Sequence, residues 1–420
     1  MKPRIIIVGA GFAGLRALKG LANVEAEVLL IDRHNYHTFI PMLYQVVTGF
    51  IEPQLIAYPL RKTLRSIANA NFLMAEVKQI DFESKTVITD SQSISYDYLV
   101  LSTGSQANFL GVSGAPQSAF PLRTLKDAIA LHDRIFDCFE RAAKHPEDIE
   151  QLLTFVIVGG GPTGVEMAGA LQELIQESLI KDYPQLDLHC SRVILLQSGD
   201  SLLSSYPKHL QKYAVSQLRD RGVKVHFNSR VQETSATEVV LSDETRIATS
   251  TIIWTAGVEA SFPEPKEKVP TTNKNKLEVF DTLQLPKYPN VYAVGDVAYV
   301  EQDSKPLIGI APEALQQGDA VAENIRRQLK GKKPETFDYF NKGQAAIIAR
   351  NAGVILLLGK IPVGGFFGWL MWMGIHLYYL PGLANRFKVL GAWLKDYFWR
   401  DRSVKQIFRS SIAVNKHHIF

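Results

Sequence analysis

The chain has 420 residues, of which 46% are hydrophobic and 21% are charged. This apolar content excludes a disordered chain, and the length predicts two or three domains. The two cysteines, Cys138 and Cys190, exclude a disulfide framework and a Cys-x-x-Cys metal or redox site, so we expect a reducing compartment and packing roles for both. The N-terminus runs at once into an apolar strand without room for a signal peptide, and we expect that the bulk of the protein is not exported.

Charge is concentrated at the C-terminus. Residues 386–420 contain eight basic and two acidic residues, a net charge of +6, whereas the whole chain carries +4. A basic segment on a nearly neutral body predicts an anionic partner, either a membrane or a nucleic acid. The basic residues are Arg386, Lys388, Lys395, Arg400, Arg402, Lys405, Arg409 and Lys416.

Two segments carry the pattern of a dinucleotide-binding βαβ unit. In the first, an apolar strand leads into a Gly-x-Gly-x-x-Gly turn and a helix, and a second strand ends in an acid. Such glycines let the backbone approach a pyrophosphate, and the acid binds a ribose hydroxyl. The second segment repeats this order, with a helical extension through residues 175–184 before its second strand. The candidate residues are Gly9, Gly11, Gly14, Asp32 and Arg33 in the first unit, and Gly159, Gly161, Gly164 and Gln197 in the second.

Three further strand ends complete a larger pattern. Thr103-Gly104 and Thr-Ala-Gly257 each follow one of the βαβ units, and Gly-Asp296 ends a later apolar strand. This order resembles the two-dinucleotide-binding-domain flavoproteins, an α/β class in which an NAD(P) domain is inserted into an FAD domain. The resemblance implies an FAD domain in residues 1–113 and 265–335, an NAD(P)H domain in 114–264, and a C-terminal membrane-association region in 336–420. The Pro- and Lys-rich stretch 262–270 is expected to be the return linker.

Longer motifs indicate one particular family within this class of flavoproteins. The segments 35–46, 159–166 and 311–318, together with the aromatic C-terminal region 369–389, resemble the type II NAD(P)H:quinone oxidoreductases. The cysteines of disulfide reductases and sulfide:quinone reductases are missing. The resemblance implies FAD-dependent transfer of two electrons from NAD(P)H to a membrane quinone without proton pumping, by a homodimer. It places Tyr44, Glu166 and Gln316 in the quinone and proton-transfer region.

Two of these residues also have simpler interpretations. Glu166 is expected in the first turn of its helix, where the helix dipole alone favours an acid. His37 is either a hydrogen-bonded loop residue or a flavin contact.

The chain departs from the family pattern at two positions. Pro312 stands where the quinone motif has its first Gln, so the pocket loses a polar contact and the identity of the quinone stays open. Gln197 stands where NADH-specific folds carry an acid, which would repel a 2′-phosphate by roughly 4 kcal/mol. We therefore expect that NADPH is tolerated or preferred.

The C-terminal region predicts a membrane contact. No residue from 361 to 385 is formally charged, but glycines and prolines interrupt the segment. We favour helices that lie in the interface of a cytoplasmic membrane face, over a spanning helix or a dimer surface, and we expect no nucleic acid. The aromatic side chains expected at headgroup level are Trp369, Trp372, Tyr378, Trp393 and Trp399.

Two rival functions remain open. The quinone could be a biosynthetic naphthoquinone of the demethylphylloquinone type reduced with NADPH, an alternative that Pro312 and Gln197 keep in view. The chain could also be a flavin-bearing redox sensor or interaction protein. Rapid turnover with a quinone distinguishes an enzyme from a sensor.

Overall fold

The computed structural model describes residues 2–407 and divides into two compact units. The first unit comprises Met1–Thr38, Tyr58–Gln106 and Val258–Lys342. The second comprises Phe39–Ala57, Ala107–Gly257 and the chain from Gly343 onward. Of the basic C-terminal residues, Arg409 and Lys416 lie outside the described residues.

A six-stranded sheet forms the centre of the first unit. Ile5, Ile6 and Ile7 are fully buried, because this apolar run is covered on both faces of a largely parallel sheet. The helices Phe12–Gly20 and Ala311–Leu329 pack against each other beside this sheet. In spatial order the strands are Gln284–Leu285, Tyr288–Ala293, Tyr98–Leu101, Arg4–Val8, Glu27–Asp32 and Ala70–Met74.

A smaller four-stranded sheet completes the core of the first unit. Its strand Glu264–Pro265 pairs in parallel with Val77–Asp81, so the stretch expected to be a linker contributes a strand. The backbone there finds hydrogen-bond partners in a sheet, which the Pro and Lys content of the sequence did not indicate. The other two strands of this smaller sheet are Thr86–Thr89 and Ser93–Ser95. The remaining short strands are Tyr36–Thr38, Ala57–Pro59, Ser105–Ala107, Val258–Ala260, Leu277–Glu278, Ala298–Tyr299, Glu301–Gln302 and Lys305–Pro306, and a short α-helix is Leu60–Leu64.

The second unit contains a five-stranded parallel sheet. Its central strand Thr154–Val158 is buried at every position, as the unbroken apolar run predicts. The helix Pro162–Glu173 continues through the π-helical turn Leu174–Leu179 and Ile180–Asp182, which confirms the expected helical extension. In spatial order the strands are Ala119–Pro121, Thr251–Trp254, Thr154–Val158, Arg192–Leu196 and Lys224–His226.

Other elements of the second unit surround this sheet. An antiparallel three-stranded sheet consists of Val231–Thr234, Glu238–Leu241 and Arg246–Ala248. The remaining helices before the C-terminal region are Leu43–Val47, Ala115–Ser118, Leu125–Lys144, Ile149–Leu152 and Lys208–Asp220.

The C-terminal part of the second unit is an antiparallel sheet followed by two helices. The strands are Gly343–Ala349, Ala352–Leu357 and Ile361–Gly364, and the helices are Gly365–Tyr379 and Leu383–Trp399. Gly169 lets the helix Pro162–Glu173 approach the first strand closely, because a Cβ there would lie 1.7 Å from the carbonyl oxygen of Ile348. Every helix within residues 2–407 is too short or too polar to cross a membrane.

Candidate functional site

The first glycine turn has the geometry of a nucleotide-binding loop. Gly9 has a φ of +100°, and a Cβ on Gly14 would lie 2.0 Å from the carbonyl oxygen of Gly9. Neither position accommodates a side chain, so the strand and the helix meet closely. Asp32 accepts hydrogen bonds from the backbone N–H groups of Ala10 (2.7 Å) and His34 (2.7 Å). The carboxylate therefore stands at the mouth of this loop.

A second group of residues in the first unit surrounds a pocket of about 240 Å³. Asp296 accepts a hydrogen bond from the hydroxyl of Ser105 at 2.6 Å and lines this pocket together with Glu313. Glu313 caps the helix Ala311–Leu329 by accepting hydrogen bonds from the backbone N–H groups of residues 308–310. Burial raises the pKa of Glu313, and these backbone donors oppose the rise.

Next to Gly104, one buried polar atom lacks a partner. The hydroxyl of Thr103 is buried and finds no hydrogen-bond partner within residues 2–407. Gly104 has a φ of +76°, and a Cβ there would meet no atom within 4 Å. A buried hydroxyl beside open space fits a polar ligand that supplies the missing hydrogen bond.

The second glycine turn repeats the first in the second unit. Gly159 has a φ of +113°, and a Cβ on Gly164 would lie 1.9 Å from the carbonyl oxygen of Gly159. Gln197 follows the strand Arg192–Leu196, and its amide oxygen accepts a hydrogen bond from the backbone N–H of Gly160 at 2.9 Å. Gln197 thus makes the same contact that Asp32 makes in the first unit.

Gly161 and Gly257 lie at the same end of the parallel sheet in the second unit. A Cβ on Gly161, the residue before the helix Pro162–Glu173, would meet no atom within 4 Å. Gly257 has a φ of +83° and follows the strand Thr251–Trp254, where a Cβ would lie 2.9 Å from the carbonyl oxygen of Asn108. The open space at Gly161 leaves the helix N-terminus accessible to a phosphate.

A pocket of about 520 Å³, measured to its open mouth, lies within the second unit. We call it the aromatic pocket, because rings dominate its walls. The helix Pro162–Glu173 supplies Glu166 and Glu173, and the C-terminal helices supply most of the aromatic side chains. The rings that line it are Tyr44, Phe50, Trp369, Trp372, Trp393 and Tyr397.

Glu166 is buried in the wall of the aromatic pocket. Burial raises the pKa of Glu166 to about 8, and the backbone N–H of Ile347, 3.3 Å from its Oε1, opposes the rise. The indole N–H of Trp372 also faces the carboxyl; it lowers the pKa but falls short of a well-aligned hydrogen bond. At neutral pH the carboxyl therefore holds its proton and is able to donate it.

The expected position of Glu166 in the first helical turn is wrong. The helix begins at Pro162, so Glu166 is its fifth residue and the first turn contains no acid. Proline is favoured at this start because it has no N–H to leave unpaired. The helix dipole therefore does not account for the acid at position 166, and its place in the aromatic pocket becomes the better explanation.

Tyr44 and Gln45 form a hydrogen-bonded chain in the same wall. The amide of Gln45 donates to the hydroxyl of Tyr44 at 3.1 Å, and its oxygen accepts from the indole of Trp393 at 2.9 Å. Burial and then the charge of Glu166 raise the pKa of Tyr44 well above its usual value. Tyr44 therefore stays neutral and acts as a hydrogen-bonding group.

A buried histidine supports this wall from behind. The rings of Trp372 and His376 stack with centroids 3.8 Å apart, and Nδ1 of His376 donates to the carbonyl oxygen of Trp372 at 2.8 Å. Burial lowers the pKa of His376 to about 4. The imidazole is therefore neutral at physiological pH, and it holds Trp372 by stacking.

Four residues that the sequence singled out have local contacts or no assigned role in the structure. The amide of Gln316 exchanges two hydrogen bonds with the backbone of Phe340, at 2.9 and 3.0 Å, and its contact with a quinone stays a prediction. Pro312 lies in the first turn of the helix Ala311–Leu329. His37 is buried, and its Nδ1 lies 2.8 Å from the carbonyl oxygen of Ala10, which is the simpler of its two interpretations. Arg33 is exposed.

The expectation that all five C-terminal aromatic side chains lie at headgroup level is wrong for two of them. Trp372 and Trp393 are buried in the wall of the aromatic pocket. Composition alone does not distinguish the two faces of a helix, and both rings pack inward against Tyr44 and Gln45. Tyr378 and Trp399 are exposed, and Trp369 is half-buried.

Four charged residues line the aromatic pocket without having been predicted as site residues. Glu173 lies seven residues after Glu166 on one helix, so two turns of helical spacing could have indicated it. The other three are Arg350 and, six residues apart in the C-terminal tail, Asp396 and Arg402. Arg402 was counted among the basic residues expected to meet an anionic partner, but its side chain is only 2% exposed and pairs with Asp396 and Glu173.

Comparisons with known proteins agree with this geometry. The pyridine nucleotide-disulphide oxidoreductase family matches residues 3–318. The type II NADH:quinone oxidoreductase Ndh of Mycobacterium tuberculosis is 34% identical over 407 residues, which cover 93% of this chain and 87% of the relative. The type II NADH:quinone oxidoreductase of Staphylococcus aureus is 29% identical over 373 residues, 87% of this chain and 92% of the relative.

A solved structure has the same fold. The structure of NDH2 from Plasmodium falciparum in complex with NADH superposes with a TM-score of 0.89 at 19% identity, covering 96% of this chain and 99% of that one. At this identity the likeness shows that the two chains share the α/β fold.

The residues of the two loops fit the cofactors of this family, FAD and NAD(P)H. In the first unit, the unpartnered hydroxyl of Thr103, the open space at Gly104 and the carboxylate of Asp296 are suited to FAD. In the second unit, the open space at Gly161 and the amide of Gln197 are suited to NAD(P)H. With its family match, its relatives and its fold in agreement, the chain belongs to the pyridine nucleotide-disulphide oxidoreductases and, among them, to the type II NADH:quinone oxidoreductases.

Proposed function

We propose that this oxidoreductase passes two electrons from NAD(P)H through FAD to a quinone at a lipid surface, without pumping protons. The observation that carries the proposal is the protonated, buried carboxyl of Glu166 in the aromatic pocket, on the helix that follows the second glycine turn. FAD, when bound, would supply the two-electron chemistry between the nicotinamide and the acceptor. The protein's own contribution is to bind, to orient and to supply protons.

The two units divide the cofactors between them. The first unit holds FAD through Gly9, Gly11, Gly14, Asp32 and Asp296. The second unit holds NAD(P)H against the N-terminus of the helix Pro162–Glu173, where backbone N–H groups face a phosphate. The C-terminal region, predicted from residue 336 onward, supplies the contact with lipid.

Gln197 is the determinant of nucleotide choice in this proposal. Its amide oxygen is engaged by the backbone N–H of Gly160, which leaves the NH₂ group as a donor toward the ribose. An amide NH₂ group donates a hydrogen bond to a 2′-hydroxyl or to a 2′-phosphate, whereas a carboxylate repels the phosphate. NADPH is therefore used together with NADH.

The quinone end of the reaction takes place in the aromatic pocket. Flat rings such as Trp372 pack against a quinone ring, and a neutral Glu166 donates a proton to the oxygen that gains charge as the quinone is reduced. Tyr44 supports this oxygen as a neutral hydrogen-bonding group. Gln316 stays a candidate for a polar contact with the quinone. Pro312 stands where the family's quinone motif has its first Gln, and proline offers no hydrogen-bond donor there.

The C-terminal helices form the proposed membrane contact. On Leu383–Trp399 four of the five exposed large apolar residues recur at positions that share one face, and Lys388 and Lys395 lie one residue beyond two of them. An apolar stripe with adjacent lysines is suited to anionic lipid at the interface. The exposed residues of this stripe are Leu383, Phe387, Leu394 and Phe398. The enzyme is on this proposal a peripheral homodimer on the cytoplasmic face, and light scattering in detergent tests the dimer.

One anaerobic experiment tests the core of the proposal. The flavin absorbance of the lipid-supplemented holoenzyme is followed after one equivalent of NADH or NADPH and again after a soluble quinone is added. Bleaching by either nucleotide and rapid recovery with the quinone is the expected result. If oxygen restores the flavin absorbance and quinones do not, the quinone assignment is wrong.

A further inference from the structure

A cluster of buried charges lies in the aromatic pocket beside Glu166. The guanidinium of Arg402 lies 3.3 Å from Asp396 and 3.5 Å from Glu173, with only 2% of its side chain exposed. Arg350 pairs with Asp396 at 3.0 Å, and its backbone N–H donates to Glu173 at 2.6 Å. Two cations thus hold two carboxylates out of water. We call these four residues the charge cluster.

Glu173 links the charge cluster to Glu166. The two acids lie on one helix seven residues apart, which is two turns and a rise of about 10 Å. Both residues line the aromatic pocket, and the residue between them that also lines it is Ala170, whose side chain is too small to separate them. The charged side chains that line the pocket are suited to holding ordered water between the two acids.

The proposed reaction requires a route by which Glu166 regains its proton. Reduction of a quinone by NAD(P)H consumes one proton from the medium in every turnover, and Glu166 gives up its proton at that step. A buried acid regains a proton only through a neighbouring group or water. Tyr44 is a poor source, because its pKa is raised well above its usual value.

We propose that Glu173 is the positioning residue that returns a proton to Glu166 after each turnover. This inference rests on the proposed function. The O–H bond of Glu166 breaks as the O–H bond of the hydroquinone forms. The Glu173 carboxylate then takes up one proton from the solvent and passes it through pocket water to the Glu166 carboxylate, so that one proton of the medium is consumed per quinone and Glu173 ends as a carboxylate again.

The surroundings of Glu173 suit a group that gains and loses a proton. Burial raises the pKa of Glu173, and Arg402 and Arg350 lower it. Arg221 lies 4.0 Å from its Oε1 on another side, so each charge change of Glu173 is balanced by fixed cations. The groups that face the two acids are Arg221, Arg350, Arg402, Glu177 and Asp396 around Glu173, and Tyr44, Tyr206 and Trp372 around Glu166.

The test separates the first turnover from the later ones. In the Glu173→Gln holoenzyme, Glu166 starts with its proton, so stopped-flow reoxidation of the reduced flavin by a soluble quinone should keep its wild-type rate in a single turnover. Steady-state turnover should fall about 10²-fold, the lower end of what a positioned acid or base contributes. A burst followed by a slow phase is therefore expected. Small weak acids such as formic acid should restore the slow phase, because they carry protons into the pocket.

A matched carboxyl controls for the loss of an ion pair. Glu177 lies on the π-helical continuation of the same helix and pairs with Arg350 at 2.8 Å, but it does not line the aromatic pocket. The Glu177→Gln protein should show neither the burst nor the rescue. A Glu173→Gln enzyme whose first turnover is as slow as its later ones, or whose steady state is unchanged, overturns the proposal. Failure of the wild-type enzyme to reduce any quinone would instead remove the proposed function itself.

Discussion

The amide oxygen of Gln197 accepts a hydrogen bond from the backbone N–H of Gly160 at 2.9 Å. Asp32 accepts the equivalent bond from Ala10 at 2.7 Å in the first unit. The same local geometry therefore accommodates an amide in one loop and a carboxylate in the other. An acid placed at position 197 should keep this bond, so the exchange tests charge with little change in shape.

Gln197→Glu should shift nucleotide choice toward NADH. A new carboxylate about 4 Å from a 2′-phosphate costs up to about 4 kcal/mol at an effective dielectric constant of 20. Screening by water and salt reduces this cost, and we expect the ratio of kcat/KM for NADPH to that for NADH to fall by about 10²-fold. The measurement is the rate of anaerobic flavin bleaching at several concentrations of each nucleotide.

An exposed glutamine provides the control for this exchange. Gln185→Glu adds the same charge to the second unit at an exposed position and should leave the ratio unchanged. If Gln197→Glu also leaves the ratio unchanged, the side chain at position 197 does not select the nucleotide.

Much of the nucleotide-binding part was predictable from sequence, and the aromatic pocket was only partly so. Gly9 and Gly159 indicate tight turns in the sequence, because a positive φ and close packing at these positions exclude a side chain. The pocket joins a short helix near residue 45, a longer helix near 166 and a tail near 402, and contacts at such separations leave no periodic signal in the sequence. Resemblance supplied Tyr44 and Glu166.

The two faces of the C-terminal helices also depend on contacts that the sequence does not reveal. Trp393 and Phe398 are both large and aromatic, yet Trp393 donates to Gln45 and Phe398 is 69% exposed. The run of apolar residues in the C-terminal helices predicts that they bury apolar surface. Which rings face inward depends on partners far away in the chain, such as Gln45.

Glu166→Gln should make stability less dependent on pH. The pKa of Glu166 rises from 4.5 in the unfolded chain to about 8 in the fold. Below pH 4.5 both states hold the proton, and between pH 4.5 and 8 only the folded state does. Stability therefore falls as the pH rises through this window, by roughly 3–5 kcal/mol in total, and a neutral amide does not contribute to that fall.

Thermal unfolding of the holoenzyme at several pH values measures this effect. The wild-type and Glu166→Gln proteins should have similar Tm values near pH 5, and the variant should be about 5 °C or more higher at pH 8. The amide can still accept the N–H of Ile347, so the fold is retained. Equal Tm values for the two proteins at pH 8 would falsify the raised pKa of Glu166.

Charges on the exposed stripe should weaken lipid binding. Phe387 is 72% exposed and Phe398 is 69% exposed, and they lie on one face three turns apart. Each aromatic ring contributes roughly 1.5–3 kcal/mol when it enters an apolar layer. The double variant Phe387→Glu, Phe398→Glu should therefore bind vesicles of anionic lipid about 10²-fold or more weakly, as measured by cosedimentation.

Phe280 offers a matched position in the first unit. It is 57% exposed, so Phe280→Glu introduces the same chemistry on a different surface and should leave vesicle binding unchanged. Equal loss of binding in both proteins would assign the effect to net charge and contradict a specific lipid-binding stripe.

Arg402→Met should destabilise the second unit. The guanidinium of Arg402 lies over the ring of Phe50 at 3.9 Å and between the carboxylates of Asp396 and Glu173. Methionine keeps much of the apolar volume but leaves buried negative charge with one fewer cation. Removing one partner of a buried ion pair costs roughly 3–5 kcal/mol, so we expect a lower urea midpoint and faster proteolysis of the tail beyond Trp399.

Arg400 is the control for this last exchange, because it lies in the same tail with 64% of its side chain exposed and pairs with Glu177 at 3.8 Å. Exposed pairs contribute about 1 kcal/mol or less, since water already solvates both charges. Arg400→Met should therefore unfold close to the wild-type midpoint. Similar losses in both proteins would mean that the tail responds to total charge, whereas a loss confined to Arg402→Met assigns the stability to the buried position of that side chain.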